Sequence, residues 1–159
     1  MYAEAIELAV ARELNYRQNI IVPNVFWGLG LRYEADLVCL RPSGYAIEIE
    51  IKTTAADIRA DLKKRRQHNS DLFRQLWFAV PVELAEHPDI PARAGIYAVV
   101  KHEQDWHYVK TIRPARRNLD ANRWTAEQRL KLLHLAAMRI WGLKAARYSD
   151  RLRREEKEG

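Results

Sequence analysis

The sequence has a single cysteine, no long apolar run and no secretory signal pattern. Cys39 is the only cysteine among 159 residues, so neither a disulfide nor a zinc–thiolate centre can form within one chain. Glu4 and Glu7 lie where a signal peptide carries basic and then apolar residues. No uninterrupted apolar run approaches the length that spans a membrane. We therefore expect a cytoplasmic protein with no membrane partner.

The balance of charge is basic. Lysine and arginine number 27 against 21 aspartate and glutamate, which gives a formal net charge of +6, and apolar residues make up 48% of the chain. Such a composition predicts a folded protein with an anionic partner, and DNA is the first expectation. We expect residues 1–149 to form one domain, followed by a charged tail, 150–159, that frays. An interaction protein whose basic surface meets an acidic protein is an alternative.

The hydrophobic pattern alternates between helical and strand periods. It predicts helices over residues 2–14, 54–66, 82–87 and 125–148, and strands over 19–23, 33–40, 45–52, 75–80, 95–100 and 106–112. Pro23 is expected to stop the first strand. In the last helix an apolar stripe is predicted, formed by Leu130, Leu133, Ala137, Ile140 and Trp141. This order predicts an α/β fold with a mixed sheet flanked by helices.

Acidic residues alternate along two adjacent predicted strands, which a turn at residues 41–44 joins. Residues i and i+2 of a strand share one face. Glu34 and Asp36 therefore share a face, and so do Glu48, Glu50 and Lys52. Pairing of the strands as a hairpin would bring several carboxylates beside one ammonium group. Mutual repulsion makes such a cluster unfavourable unless a cation lies within it.

These side chains predict a metal site for phosphodiester hydrolysis. Oxygen ligands favour a hard ion, Mg²⁺ or Mn²⁺. Asp36 and Glu50 are the expected ligands, with the backbone carbonyl of Ile51 as a neutral oxygen. Lys52 is expected to orient or deprotonate the attacking water, or to neutralise charge on the phosphoryl group. Glu34 and Glu48 are expected to be solvated or to support the ligands. The alternative is an amphipathic strand whose polar face is merely solvated.

The spacing of these residues resembles the PD-(D/E)xK nuclease superfamily. Asp36 matches its central aspartate, and E-I-K at residues 50–52 matches its E-x-K motif, 14 positions later. Glu7, in E-L-A-V-A-R-E-L, resembles the glutamate that the superfamily often carries on its first helix. The resemblance implies a restriction-endonuclease-like fold, with Glu7 as a further ligand of the metal or of water. Ala35 stands where the superfamily usually has proline.

A closer resemblance covers residues 30–115. T-A-A-D-I-R-A-D-L-K-K (54–64), L-W-F-A-V-P (76–81) and P-A-R-A-G-I-Y-A-V-V (91–100) are similar to the MmcB-type DNA-repair endonucleases. This implies DNA cleavage in repair, recombination or phage DNA processing. By that family's pattern, Asp57, Arg59, Asp61 and Lys63 line the site. The basic residues expected to contact DNA phosphates are Arg59, Lys63, Lys64, Arg65 and Arg66.

Two questions stay open at the level of sequence. A nucleic-acid-binding module that keeps the nuclease fold without cutting is the main alternative to an enzyme, although none of Glu7, Asp36, Glu50 and Lys52 is missing. Nucleases of this type often dimerise to cut both strands, so a homodimer is a second expectation, and no feature of the sequence dictates it.

Overall fold

The computed structural model describes residues 1–26, 28–62 and 71–158. Its elements are α1 (Ala3–Glu13), β1 (Ile20–Val25), β2 (Ala35–Leu40), β3 (Ala46–Ile51), α2 (Ala55–Leu62), β4 (Phe73–Pro81), a one-turn 3₁₀ helix (Val82–Leu84), β5 (Gly95–Lys101), β6 (His107–Arg113) and α3 (Ala126–Glu158). The predicted class is confirmed, because six strands form one mixed sheet flanked by helices. Trp27 and the predicted phosphate contacts Lys63, Lys64, Arg65 and Arg66 lie outside the described residues.

The strands lie in the sheet in chain order, from β1 to β6. Strands β1, β2 and β3 form an antiparallel meander. Strands β4 and β5 continue parallel to β3, and β6 returns antiparallel to β5. The predicted turn between β2 and β3 is closed by a hydrogen bond of 2.9 Å from the Gly44 N–H to the Arg41 carbonyl, and Gly44 has a φ of 86°. That φ favours glycine, which lacks the Cβ that would clash.

The two faces of the sheet carry different helices because side chains alternate along each strand. On one face, Leu37, Ile47 and Ile49 pack against Ile6 and Val10 of α1. On the other face, Ile58 of α2 packs near β4 and β5, and Leu132 and Leu135 of α3 pack near β1 and β2. Glu48 and Glu50 alternate with Ile47 and Ile49, so they belong to the face of α2 and α3.

Pro23 does not end the first strand, contrary to the sequence prediction. It lies inside β1, opposite Leu37 of β2. Strand β1 is at the edge of the sheet, and β2 is its one partner among the described residues. Proline is tolerated at such a position, because its missing N–H can face away from the neighbouring strand. The first strand therefore continues to Val25.

Helix α3 differs from its prediction in length and in the orientation of its apolar stripe. It continues to Glu158, through the tail predicted to fray, and ion pairs link Arg151 to Glu155 and Asp150 to Arg153. Pairs with this spacing stabilise an exposed helix. Leu132 and Leu135 face the sheet, whereas Leu130 and Trp141 are 68% and 69% exposed. The predicted stripe therefore faces solvent, because the helix docks through a neighbouring set of leucines.

Among the residues described, no helix is both long and apolar enough to cross a membrane.

Candidate active site

The candidate active site begins where the pairing of β2 with β3 ends. The last paired residues are Leu37 and Ile49. Beyond them the Ile51 N–H donates to the Asp36 Oδ2 at 2.8 Å, so the Asp36 side chain takes the place of the next backbone bond. This contact holds the Asp36 carboxylate beside β3, on the same face as Glu50 and Lys52.

Lys52 brings three acidic side chains together. Its Nζ lies 2.5 Å from Glu50 Oε2, 3.4 Å from Asp61 Oδ1 and 3.5 Å from Asp36 Oδ2. Asp36 lies on β2, Glu50 on β3, Lys52 directly after β3 and Asp61 on α2. The structure thus places Asp36, Glu50 and Lys52 within contact distance, as the alternation of the two strands predicted. We call these four residues the carboxylate–lysine cluster.

The start of α2 is fixed by a capping box formed by Thr54 and Asp57. The Thr54 N–H donates to the Asp57 carboxylate and the Asp57 N–H donates to Thr54 Oγ1, both at 3.1 Å. The hydrogen bond from Thr54 is the main cause of a lowered pKa for Asp57. Asp57 is thereby a cap, and it does not line the cluster as the family resemblance implied. One turn later, Asp61 points to Lys52 while Ile58 is buried in the core.

Burial strengthens the electrostatic interactions within the cluster and shifts the pKa values of its members. Glu50 is only 3% exposed, and burial raises its pKa to about 7, with Asp36 and Glu48 also raising it and Lys52 opposing the shift. Burial alone would lower the pKa of Lys52, but the carboxylates of Glu50, Asp36 and Asp61 together raise it above the usual value. Three carboxylates thus share one ammonium group, which is the situation that an additional cation relieves.

Glu48 is wholly buried, so of its two expected roles the solvated one is wrong, and support of the ligands remains a prediction. Strand β3 has neighbours on both sides, and Leu76 of β4 lies beside Glu48. Tyr33 lies close enough for the two side chains to interact, since its pKa is raised first by burial and then by Glu48. Tyr33 was missed by the sequence analysis. Its position just before β2 gives no sign that its ring turns toward β3.

The remaining predicted site residues lie at different distances from the cluster. Burial, Glu4 and Asp36, in that order, raise the pKa of Glu7, so Glu7 is near enough to Asp36 for electrostatic interaction. Glu34 is exposed and accepts a hydrogen bond of 2.9 Å from Asn24 Nδ2, which keeps it out of the cluster. Arg59 is exposed on α2, two residues before Asp61.

The donor set of the cluster fits a hard divalent ion. Glu50 Oε1 is buried and accepts no hydrogen bond from any residue in the described ranges, so one oxygen is left for a ligand. Asp36 supplies a second carboxylate close by. Within those ranges, however, no three side chains of histidine, cysteine, aspartate or glutamate are arranged to hold a metal. Two carboxylates with a backbone carbonyl, as the sequence predicted, remain the candidate ligands.

Comparison with solved structures finds a protein of unknown function from Silicibacter pomeroyi. The likeness has a TM-score of 0.64 and covers 100% of this chain and 96% of that chain, at 23% sequence identity. At this level of identity it shows a shared fold alone. No family model matches the chain, and no curated protein matches it.

Proposed function

We propose that this protein is a cytoplasmic, metal-dependent DNA endonuclease of the PD-(D/E)xK type, similar to the MmcB-type enzymes, that acts in repair, recombination or phage DNA processing. One observation carries the proposal. Asp36 and Glu50, from adjacent strands, converge on Lys52 at the open end of a hairpin, at 3.5 Å and 2.5 Å. The chain runs through a helix, three antiparallel strands, a second helix and a parallel strand, and this order supports the resemblance to a restriction-endonuclease-like fold.

The chemistry follows from what phosphodiester hydrolysis requires. A water must be made nucleophilic, and negative charge that develops on the phosphoryl oxygens must be stabilised. Asp36 and Glu50 would hold Mg²⁺ or Mn²⁺, with the Ile51 carbonyl as a further oxygen. When bound, the metal ion lowers the pKa of its water and offsets charge on the phosphoryl group. Lys52, fixed by its carboxylate partners, would donate hydrogen bonds to the attacking water or to a phosphoryl oxygen. Glu7, which interacts electrostatically with Asp36, would be a further ligand of the metal or of its water.

DNA is the proposed substrate because the chain has a net charge of +6 and because Arg59 lies on the helix that also supplies Asp61 to the cluster. Arg59 lies on the exposed side of α2, the helix that also supplies Asp61. Arginine and lysine there would neutralise backbone phosphates, which carry most of the affinity of such contacts.

Metal-dependent cleavage by the wild-type protein tests the proposal. Labelled single-stranded, duplex, flap and junction DNA would be incubated with Mg²⁺ or Mn²⁺, and with EDTA as the control. We expect cleavage of at least one form with metal and none with EDTA. Binding of DNA without metal-dependent cleavage of any form would refute the enzyme. If the protein binds no DNA at all, the remaining hypothesis is an interaction protein whose basic surface meets an acidic protein.

The non-catalytic nucleic-acid-binding module has one observation in its favour. The Lys52 ammonium already acts as a counter-cation for three carboxylates, and the described residues contain no ready-made group of three side-chain metal ligands. The cleavage experiment decides between this function and the enzyme.

We further propose that two copies of the chain associate through α3. Six large apolar side chains lie exposed along one side of the helix: Leu130, Leu133, Ile140, Trp141, Tyr148 and Leu152. Each of these side chains exposes an area on the order of 100 Å², so together they offer roughly 600 Å² per copy. That area reaches the lower end of the range for stable interfaces. A twofold axis would pair this stripe with itself, and two active sites would then be available for the two strands of a duplex.

A double substitution, Trp141→Ser with Tyr148→Ser, tests the dimer. We expect sedimentation equilibrium to give twice the monomer mass for the wild type and the monomer mass for the variant. Leu143→Ser is the matched control, because Leu143 is 72% exposed but lies on a different side of the helix. A monomeric wild type, or equal loss of the dimer in the control, would contradict the proposed interface.

A further inference from the structure

A small basic pocket lies on the same face of the sheet as the carboxylate–lysine cluster. Its volume is about 130 Å³, and three arginines, Arg93, Arg116 and Arg117, line it together with Glu48. Glu48 is two residues before Glu50 on β3, which corresponds to about 7 Å along a strand. That separation is close to the step between neighbouring phosphates of a nucleic-acid strand. We call this cavity the arginine pocket.

The segment that carries two of these arginines is irregular but firmly held. The Arg116 N–H donates to the Arg93 carbonyl at 2.9 Å, and the Asn118 N–H donates to the Arg74 carbonyl at 2.8 Å. Gln75 Nε2 donates to the Ala115 carbonyl at 3.2 Å, and Ala115 is buried in the core. These hydrogen bonds fix the backbone from residue 115 to residue 118 against the beginning of β4. The backbone that carries Arg116 and Arg117 is therefore held in place before any ligand arrives, so only the side chains are ordered on binding, which lowers the entropic cost.

Two of the arginine side chains at this site, those of Arg116 and Arg117, have positive charge that no described residue balances. Arg116 and Arg117 are exposed, and neither side chain forms a hydrogen bond or ion pair with any residue in the part of the chain that the structure describes. Arg93 and the wholly buried Glu48 have interactions of their own, so the excess charge at the pocket is that of Arg116 and Arg117. The excess positive charge favours an anion at the mouth of the pocket.

We propose that Arg116 and Arg117, assisted by Arg93, bind one phosphate of a DNA strand whose next phosphate lies at the carboxylate–lysine cluster. The guanidinium fork matches the oxygens of a phosphate group, and charged hydrogen bonds of this kind are the stronger class. The inference deepens the proposed function and rests on it in one respect, namely that the strand held here is the strand to be cut. The phosphate can be internal to the strand or can stand at its 5′ end.

Binding measured in EDTA tests this site without any cleavage. The affinity of single-stranded oligonucleotides with a 5′-phosphate or a 5′-hydroxyl would be measured by fluorescence anisotropy over a series of salt concentrations. For Arg116→Gln with Arg117→Gln we expect affinity to fall roughly tenfold or more. We also expect the dependence of log K on log salt to flatten by about 0.7 for each phosphate that the variant no longer neutralises. The matched control is Arg12→Gln with Arg17→Gln, which removes two exposed charges from α1 and the turn that follows it.

Each outcome decides the inference. Weaker binding of both oligonucleotides identifies an internal phosphate, and weaker binding of the 5′-phosphate form alone identifies a terminal one. An unchanged affinity and salt dependence in the variant overturns the site, as does an equal decrease in the control. Circular dichroism checks that the variant is folded, and Arg116→Lys with Arg117→Lys, which keeps the charge, should recover part of the affinity. If binding falls as expected but wild type cuts no DNA, the site stands and the endonuclease proposal fails.

Discussion

Replacing Asp36 by asparagine should reduce metal-dependent DNA cleavage by at least about a hundredfold, because a bound metal contributes several kcal/mol of charge stabilisation that needs its carboxylate ligands. Asparagine keeps an oxygen that can accept the 2.8 Å hydrogen bond from the Ile51 N–H, so the end of the hairpin should stay in place. The measurement is the single-turnover cleavage rate of the best DNA substrate at saturating Mg²⁺ or Mn²⁺, with DNA affinity measured in EDTA.

Glu34→Gln is the matched control for this substitution. Glu34 lies two residues before Asp36 but is exposed and bonded to Asn24, away from Lys52. We expect it to cleave at close to the wild-type rate, and both variants to bind DNA at least as well as wild type, because each loses a negative charge. Wild-type cleavage by the Asp36→Asn protein would show that the carboxylate is not a metal ligand, and the proposed centre would have to be abandoned.

The part of the site that the sequence could predict is the part that local geometry determines. Strand alternation places Glu48, Glu50 and Lys52 on one face, and a tight turn at residues 41–44 forces the two strands to pair. Asp36 is then brought opposite Glu50 by the hairpin itself. The capping box at Thr54 is equally local, because a cap depends on residues three apart along the chain.

What the sequence did not predict depends on how the elements pack. The burial of Glu48 follows from β4 lying beside β3. The contact from Asp61 to Lys52 depends on how α2 packs against the sheet, so only the family resemblance, and not the local pattern, placed Asp61 at the site. The stripe on α3 has the correct helical period, but periodicity cannot say which of two apolar sides faces the core. Leu132 and Leu135 take that role, and Trp141 is left exposed.

The same packing explains why Lys52 has two roles in the protein. The side chain of Lys52 is 12% exposed, and the side chains of its partners Glu50 and Asp61 are 4% and 5% exposed. Removing one member of a buried ion pair is far more costly than removing the whole pair, because the remaining charge is left without compensation. A residue proposed to assist catalysis therefore also stabilises the fold, and its substitution must be interpreted through both effects.

We expect Lys52→Met to lower the free energy of unfolding by about 3–5 kcal/mol, because methionine keeps much of the apolar stem but leaves three carboxylates facing one another. Adding Glu50→Gln removes one of these charges, so the double variant should be more stable than the sum of the single effects by about 0.5–3 kcal/mol. Urea denaturation in EDTA measures all four proteins. Additive effects would show that the 2.5 Å contact contributes little to stability.

If the cluster also binds a cation, Mg²⁺ should stabilise Lys52→Met, since a ligand that binds only the folded state raises its stability. In the Lys52→Met/Glu50→Gln protein, where a ligand is missing as well, that stabilisation should be weaker, which separates metal binding from a general effect of salt.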